Sequence, residues 1–149
     1  MEDYYKVDLK TKSGEVKEFT ILDTAGEEDY QVGINSWIAQ AKGFILVFAI
    51  NDTETFNYLK KLYEQIKKHE ADNLPIVVIG NKCDLAIKRT VSAQQGEDFA
   101  KSIGAKYFET SALTDYNQQV KVAFEACAYM ILNKAGINGE RDKCCCSIF

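Results

Sequence analysis

The sequence predicts an α/β domain built on a mostly parallel sheet with helices on both faces. Short β-like runs alternate with helical patterns along the chain, the ordering that a parallel sheet requires. Residues 44–50 (FILVFAI) are apolar on both faces, as in a strand covered from both sides. The polar interruptions fall directly after the strand-like runs, at the carboxyl edge where such sheets bind ligands.

The elements follow in order. Residues 4–10 alternate loosely, Thr11, Lys12, Ser13 and Gly14 are turn-like, and residues 16–22 alternate again, so the two runs read as a β-hairpin. The polar segment DTAGEEDY comes next. Ile34, Trp37, Ile38 and Ala41 then recur at helical spacing, with Gly43 closing that helix. After the 44–50 strand, Asn51, Asp52 and Thr53 suit the cap of a helix with Phe56, Leu59, Leu62, Tyr63 and Ile66 on one face. Pro75 opens a strand over residues 76–79, ended by Gly80. Ser92 with Gln95 spells a capping box for a third helix that stops at Gly104. Residues 106–108 form a short strand and residues 117–134 a last helix. Periodicity is lost from Ala135, so residues 1–134 read as the domain and 135–149 as a flexible tail.

Composition narrows the function classes. The 149 residues are 46% apolar, enough for one domain with a core. Lys and Arg total 18 against 22 Asp and Glu, and a net charge of −4 excludes a nucleic-acid binder working through bulk charge. The opening MEDYYKVDLK has no apolar signal-peptide core, and no apolar run is long enough to span a bilayer. Five Cys, three of them consecutive at 144–146, match neither a disulfide framework nor zinc spacing. An intracellular domain is the expectation.

Three polar loops lie at the carboxyl edge: Asp23-Thr24-Ala25-Gly26, Asn81-Lys82-Cys83-Asp84 and Thr110-Ser111-Ala112. A carboxylate at a strand end, as at Asp23, suits hydrated Mg2+, and a nearby Gly lets its N–H approach a phosphate; a plain turn or cap fits the same residues. An Asp such as Asp84 can accept from the N1–H and N2 amine of guanine, an Asn such as Asn81 can donate to N7, and the Lys82 stem can cover the base plane. An Asx-type turn after a strand fits these residues nearly as well.

Four motifs in order, DTAGEEDY, FAINDTETF, NKCDL and ETSA, resemble the Ras family of small GTPases, and the resemblance runs from about Glu2 to the terminal CSIF. It implies a P-loop NTPase-like G domain, a guanine-nucleotide-dependent switch that binds GTP and hydrolyses it to GDP with Mg2+ in signal transduction. By position, Asp23 would hold Mg2+ through water and the Gly26 N–H would meet the γ-phosphate. Asn81, Lys82 and Asp84 would select guanine, with Ser111 supporting Asp84 and the Ala112 N–H meeting guanine O6. Leu113 stands where the family usually has Lys. Glu2, Asp3 and Tyr5 match the tail of the effector-binding switch, and DTAGEEDY the second switch. An exchange factor, a GTPase-activating protein and effectors are the partners this implies, with no nucleic acid.

Two departures stand out. Glu27 occupies the place of the Gln that orients the attacking water; a carboxylate accepts from that water but cannot donate toward phosphate, so hydrolysis should differ from the family norm. No G-x-x-x-x-G-K-[ST] occurs in the 149 residues. The chain therefore reads as lacking the family's first strand, phosphate loop, first helix and first-switch Thr. Without that strand, the 16–22 and 44–50 strands would carry unpaired edges, an aggregation hazard. The alternative function is a non-enzymatic, membrane-tethered fragment or decoy that has lost nucleotide binding.

Cys146-Ser147-Ile148-Phe149 fits C-a-a-X, with Cys146 the prenyl acceptor and the terminal Phe pointing to geranylgeranyl. One lipid needs a second signal, and residues 134–143 carry only Lys134, Arg141 and Lys143 against Glu140 and Asp142. Cys144 and Cys145 are therefore the expected palmitoylation sites. The cytoplasmic face of a membrane, the plasma membrane by resemblance, is the expected location. His69 reads as a solvated helix end, Cys83 as a small filler, and Cys127 and Trp37 as core.

Overall fold

A computed structural model describes residues 2–11, 13–24, 31–69, 73–113, 117–135 and 144–148, with side chains omitted at 2, 31–34, 117, 135 and 144–148. The hairpin forms as its alternation predicts. Strand β1 (Glu2–Lys10) runs antiparallel to β2 (Val16–Thr24), in a register that pairs Asp3 with Asp23 and Leu9 with Lys17. Gly14, at φ +87, supplies the left-handed turn residue, and the Thr11 N–H closes the turn on the Glu15 carbonyl at 2.7 Å.

Helix α1 (Gln31–Gln40) leads to β3 (Gly43–Ala49), then α2 (Thr53–Lys68) and β4 (Ile76–Asn81). A 3-10 turn (Cys83–Lys88), α3 (Ala93–Ser102), β5 (Lys106–Glu109), α4 (Asn117–Ala135) and β6 (Cys144–Ile148) complete the order. Both predicted caps are present. The Asp52 carboxylate accepts from the Glu54 and Thr55 N–H groups, and Ser92 and Gln95 exchange side-chain and backbone bonds at 3.1 and 2.8 Å.

The strand order is β1-β2-β6-β3-β4-β5, parallel from β2 onward. Strand alternation divides the core between the two sheet faces. Phe44, Leu46 and Phe48 of β3 meet Trp37 and Ile38 of α1, Phe56 and Leu59 of α2, and Ala100 of α3. Ile45, Val77 and Ile79 meet Ala123, Cys127 and Ile131 of α4 on the other. Trp37 and Cys127 are thus core, as their patterns indicate.

Gly80 does not end its strand, which runs on to Asn81, and two larger features also differ from the sequence reading. Gly43 does not close α1, which ends at Gln40; it opens β3, where a Cβ would lie 2.9 Å from Ile131 Cδ1 and 3.0 Å from the Pro75 carbonyl. Close approach of α4, not helix termination, is what requires glycine there. The second lies in residues 135–149. Ala135 still belongs to α4, and Cys144–Ile148 is a strand rather than aperiodic tail. It pairs with both β2 and β3, so the two facing edges expected to be open are each bonded to it.

Candidate functional site

Because β2, β6, β3, β4 and β5 are parallel, their carboxyl ends share one edge of the sheet. Gly80 of β4 pairs with Glu109 of β5, so the loops after these strands emerge side by side. They are then bonded together. The Thr110 N–H donates to the Gly80 carbonyl and the Cys83 N–H to the Thr110 carbonyl, each at 3.0 Å. Thr110 Oγ1 donates to Asn81 Oδ1 at 3.1 Å, and Ser111 Oγ donates to Asp84 Oδ1 at 2.5 Å. Ser111 in turn accepts from the Leu113 N–H at 3.2 Å. Both Thr110 and Ser111 are buried.

This bonding sets what the loops present. With Oδ1 of Asn81 accepting from Thr110, its amide nitrogen is the group turned to donate. With Oδ1 of Asp84 held by Ser111, Oδ2 remains an acceptor on a fixed carboxylate. Lys82 between them sits at φ 64, ψ 35, the left-handed region that a non-glycine residue occupies at a cost. Ala112 and Leu113 are exposed beside them. A donor, an acceptor and an outward backbone segment on one rigid edge suit the hydrogen-bonding rim of a planar heterocycle.

Behind the loops lies a network that the sequence reading did not single out. Arg89, just past the 3-10 turn, donates from Nη1 and Nη2 to the two oxygens of Glu109 at 2.7 and 2.9 Å, and from Nη1 to the Val91 carbonyl at 3.2 Å. The Tyr107 hydroxyl donates to Glu109 Oε1 at 2.9 Å. The Arg89 hydrogen bonds hold the Glu109 carboxyl below its usual range, against the opposing effect of burial. Burial, with the Glu109 bond second, raises the Tyr107 phenol. Burial followed by the nearby Glu109 and Asp84 charges raises the Cys83 thiol, which keeps it protonated and suits a packing role rather than a nucleophile.

The remaining predicted residues lie elsewhere. Asp23, near the end of β2, is on the same edge but three strand spacings from β4, about 14 Å laterally. Gly26 and Glu27 fall outside the described residues. Glu2, Asp3 and Tyr5 lie on edge strand β1, with Asp3 and Tyr5 exposed. Cys144, Cys145 and Cys146 are backbone positions of β6. His69 caps α2 and its Nε2 lies 2.9 Å from Asn35 Oδ1, as a helix-end residue would. Among the described residues, no three His, Cys, Asp or Glu side chains converge as a metal site.

A family model described as the Ras family matches residues 1–133. The chain belongs to the Ras family. Protein ras-1 of Neurospora crassa is 41% identical over 118 residues, which cover 78% of this chain and 55% of that protein. The chain thus spans about half the length of the curated relative it matches. The Ras-family match contains both bonded loops, Asp23 and the segment with Gly26 and Glu27. In Ras-family terms, this is the G-domain architecture of a small GTPase, with β3, β4 and β5 its described run of consecutive parallel strands.

Proposed function

We propose that this chain acts in a guanine-nucleotide-dependent switch, with Asn81, Lys82, Asp84, Ser111 and Ala112 as its base-selecting residues. The observation that carries the proposal is the Ser111-to-Asp84 hydrogen bond at 2.5 Å, beside the Thr110-to-Asn81 bond at 3.1 Å. Together they fix an acceptor and a donor before any ligand arrives. A fixed carboxylate receives the N1–H and amine of guanine, whereas adenine offers no N1–H there. Lys82 would lay its stem over the base, and Leu113 would add apolar cover in place of the family's Lys.

The phosphate end of the reading rests on Asp23, Gly26 and Glu27. A single carboxylate at a strand end suits Mg2+, which binds through few protein carboxylates and keeps several waters and phosphate oxygens. When bound, Mg2+ would neutralise charge on the phosphates. Gly26 would offer its N–H, and Glu27 would accept a hydrogen bond from the attacking water during GTP hydrolysis. Glu2, Asp3 and Tyr5 would face effectors, and exchange and activating factors would act at the same edge. Cys146 as a prenyl acceptor, with Cys144 and Cys145 palmitoylated, would tether the chain to the cytoplasmic face of a membrane in signalling. No helix among the described residues is long and apolar enough to cross one.

The second reading is a membrane-tethered decoy without nucleotide binding. One titration separates the two. The full chain should bind fluorescent GDP in competition with GDP but not ADP, and Asp84→Asn should shift preference from guanine toward xanthine. An Asn amide donates to the xanthine O2 and accepts from its N1–H. Equal competition by ADP, or no shift in Asp84→Asn, overturns base selection; no binding of either nucleotide supports the decoy.

A further inference from the structure

We infer that His69 is a positioning residue: through Asn35 it holds α1, and with it the segment that carries Gly26 and Glu27, against α2. The inference rests on the phosphate-end role proposed for those two residues. His69 is the only histidine in the 149 residues. Its backbone N–H closes α2 on the Gln65 and Ile66 carbonyls, each at 3.2 Å, which seats the ring at the helix end. From there Nε2 lies 2.9 Å from Oδ1 of Asn35, 34 positions earlier on α1. An amide oxygen only accepts, so the ring nitrogen donates, as it does both in the Nε2–H tautomer and in the imidazolium.

The rest of the seam gives this bond its leverage. Trp37 and Ile38 are buried in one cluster with Leu62 and Ile66 of α2, so the second half of α1 is held by packing. Asn35 stands just before them, on the side of Gln31, where the helix begins. One turn back along the same flank of α2, Gln65 has a buried Oε1 with no hydrogen-bond partner among the described residues, so that position does not share the load. Loss of the His69 bond therefore frees Asn35 while the Trp37 end stays packed, and α1 pivots rather than unfolds. Glu27 precedes Gln31 by only four residues, a span of at most about 14 Å of extended chain. Where α1 begins thus limits where Gly26 and Glu27 can be delivered. The base-selecting loops follow β4 and β5 and do not share this tether. Loosening α1 should slow hydrolysis, which needs that segment ordered, without touching base affinity.

The experiment pairs ring NMR of His69, a single-histidine signal, with amide hydrogen exchange and single-turnover GTP hydrolysis on the full chain. Asn35→Leu should shift the His69 ring signals and speed exchange of the 35–37 amides roughly two- to fivefold, while the α2 amides stay unchanged. His69→Leu and Asn35→Leu should each slow hydrolysis by roughly the same two- to fivefold, and the double variant by no more than either alone, with GDP affinity unchanged. His69→Gln, which keeps an N–H donor, should restore most of the rate. Unshifted ring signals in Asn35→Leu overturn the tie. An unchanged rate in both leucine variants, or a parallel loss of GDP affinity, overturns the positioning role and leaves a merely structural bond. No binding of GTP or GDP, with the ring signals shifted in Asn35→Leu, upholds the tie and overturns the proposed switch together with the positioning it would serve.

Discussion

Arg89 and Glu109 form a two-point ion pair, Nη1 to Oε1 at 2.7 Å and Nη2 to Oε2 at 2.9 Å, with each side chain only 25% exposed. The pair joins the end of the 3-10 turn to the last residue of β5. One loop carries Lys82 and Asp84 and the other begins at Thr110, so the pair holds the two halves of the proposed base-selecting edge in register. Planar guanidinium and carboxylate groups resist rotation about such a contact in a way that a single ammonium does not.

Removing Arg89 should therefore weaken both fold and site. Arg89→Ala leaves the Glu109 charge partly buried with only the Tyr107 hydroxyl as a described partner, at a cost of about 1–3 kcal/mol. Arg89→Lys restores the charge without the fork and should recover only part of it. Urea unfolding of the three proteins checks the order. Equal stability for Arg89→Lys and the unchanged chain would show that charge alone suffices.

The same cluster sets the pH response. Glu109 has a carboxyl pKa lowered in the fold, chiefly by Arg89. As pH falls through the ordinary Glu range, about 4.3, the unfolded chain takes up this proton first, so stability declines and keeps declining through the lower folded value. Tyr107 behaves in the opposite sense, its phenol raised by burial and by Glu109. Above about pH 10 the unfolded phenol ionises while the folded one keeps its proton, so stability falls as pH rises. Glu109→Gln should flatten the acid limb of stability against pH, and Tyr107→Phe the alkaline limb. Unchanged limbs in either variant would remove that residue from the account.

Much of this was legible in the chain and some was not, for physical reasons. The Asp52 cap, the Ser92–Gln95 box and the two-faced β3 run are local patterns, and each formed where its residues stand. Asn81, Asp84 and Ser111 were legible as candidates because residue type and strand-end position together limit what they can do. Arg89 and Glu109 lie 20 positions apart and meet only after β4 pairs with β5. Nothing in either local sequence signals the contact. Gly43 was misread because a glycine after a helical pattern looks like a stop, whereas its reason is Ile131, far along the chain. Strand β6 carries no alternation to read, and its pairing with β2 and β3 is a long-range relationship.

Ser111→Ala tests whether the site is assembled before ligand arrives. The change removes the donor 2.5 Å from Asp84 and the acceptor of the Leu113 N–H, inside a buried position. Stability should drop by about 1–2 kcal/mol. Guanine-nucleotide affinity should fall roughly tenfold, equivalent to about 1.4 kcal/mol, because Asp84 must be ordered on binding. Calorimetric titration beside thermal unfolding separates the two effects. Lost stability with full affinity would reduce Ser111 to a folding role.

Tyr107 also explains two glycines. A Cβ on Gly96 of α3 would lie 2.6 Å from the ring Cζ, and one on Gly80 of β4 would lie 2.6 Å from the hydroxyl. The ring is clamped between helix and strand, stacked on Phe48 at 6.5 Å, with its hydroxyl on Glu109. Alanine at an interior helical position normally gains about 1 kcal/mol over glycine, yet overpacking here should cost about 1–3 kcal/mol. Gly96→Ala should therefore destabilise the domain. The cause is open to a double-mutant cycle. In a Tyr107→Leu background the ring is gone, and Gly96→Ala should become neutral or stabilising as helix propensity reasserts itself. An unchanged penalty in that background would place the clash elsewhere and release Gly96 from its tie to the Arg89–Glu109 pair.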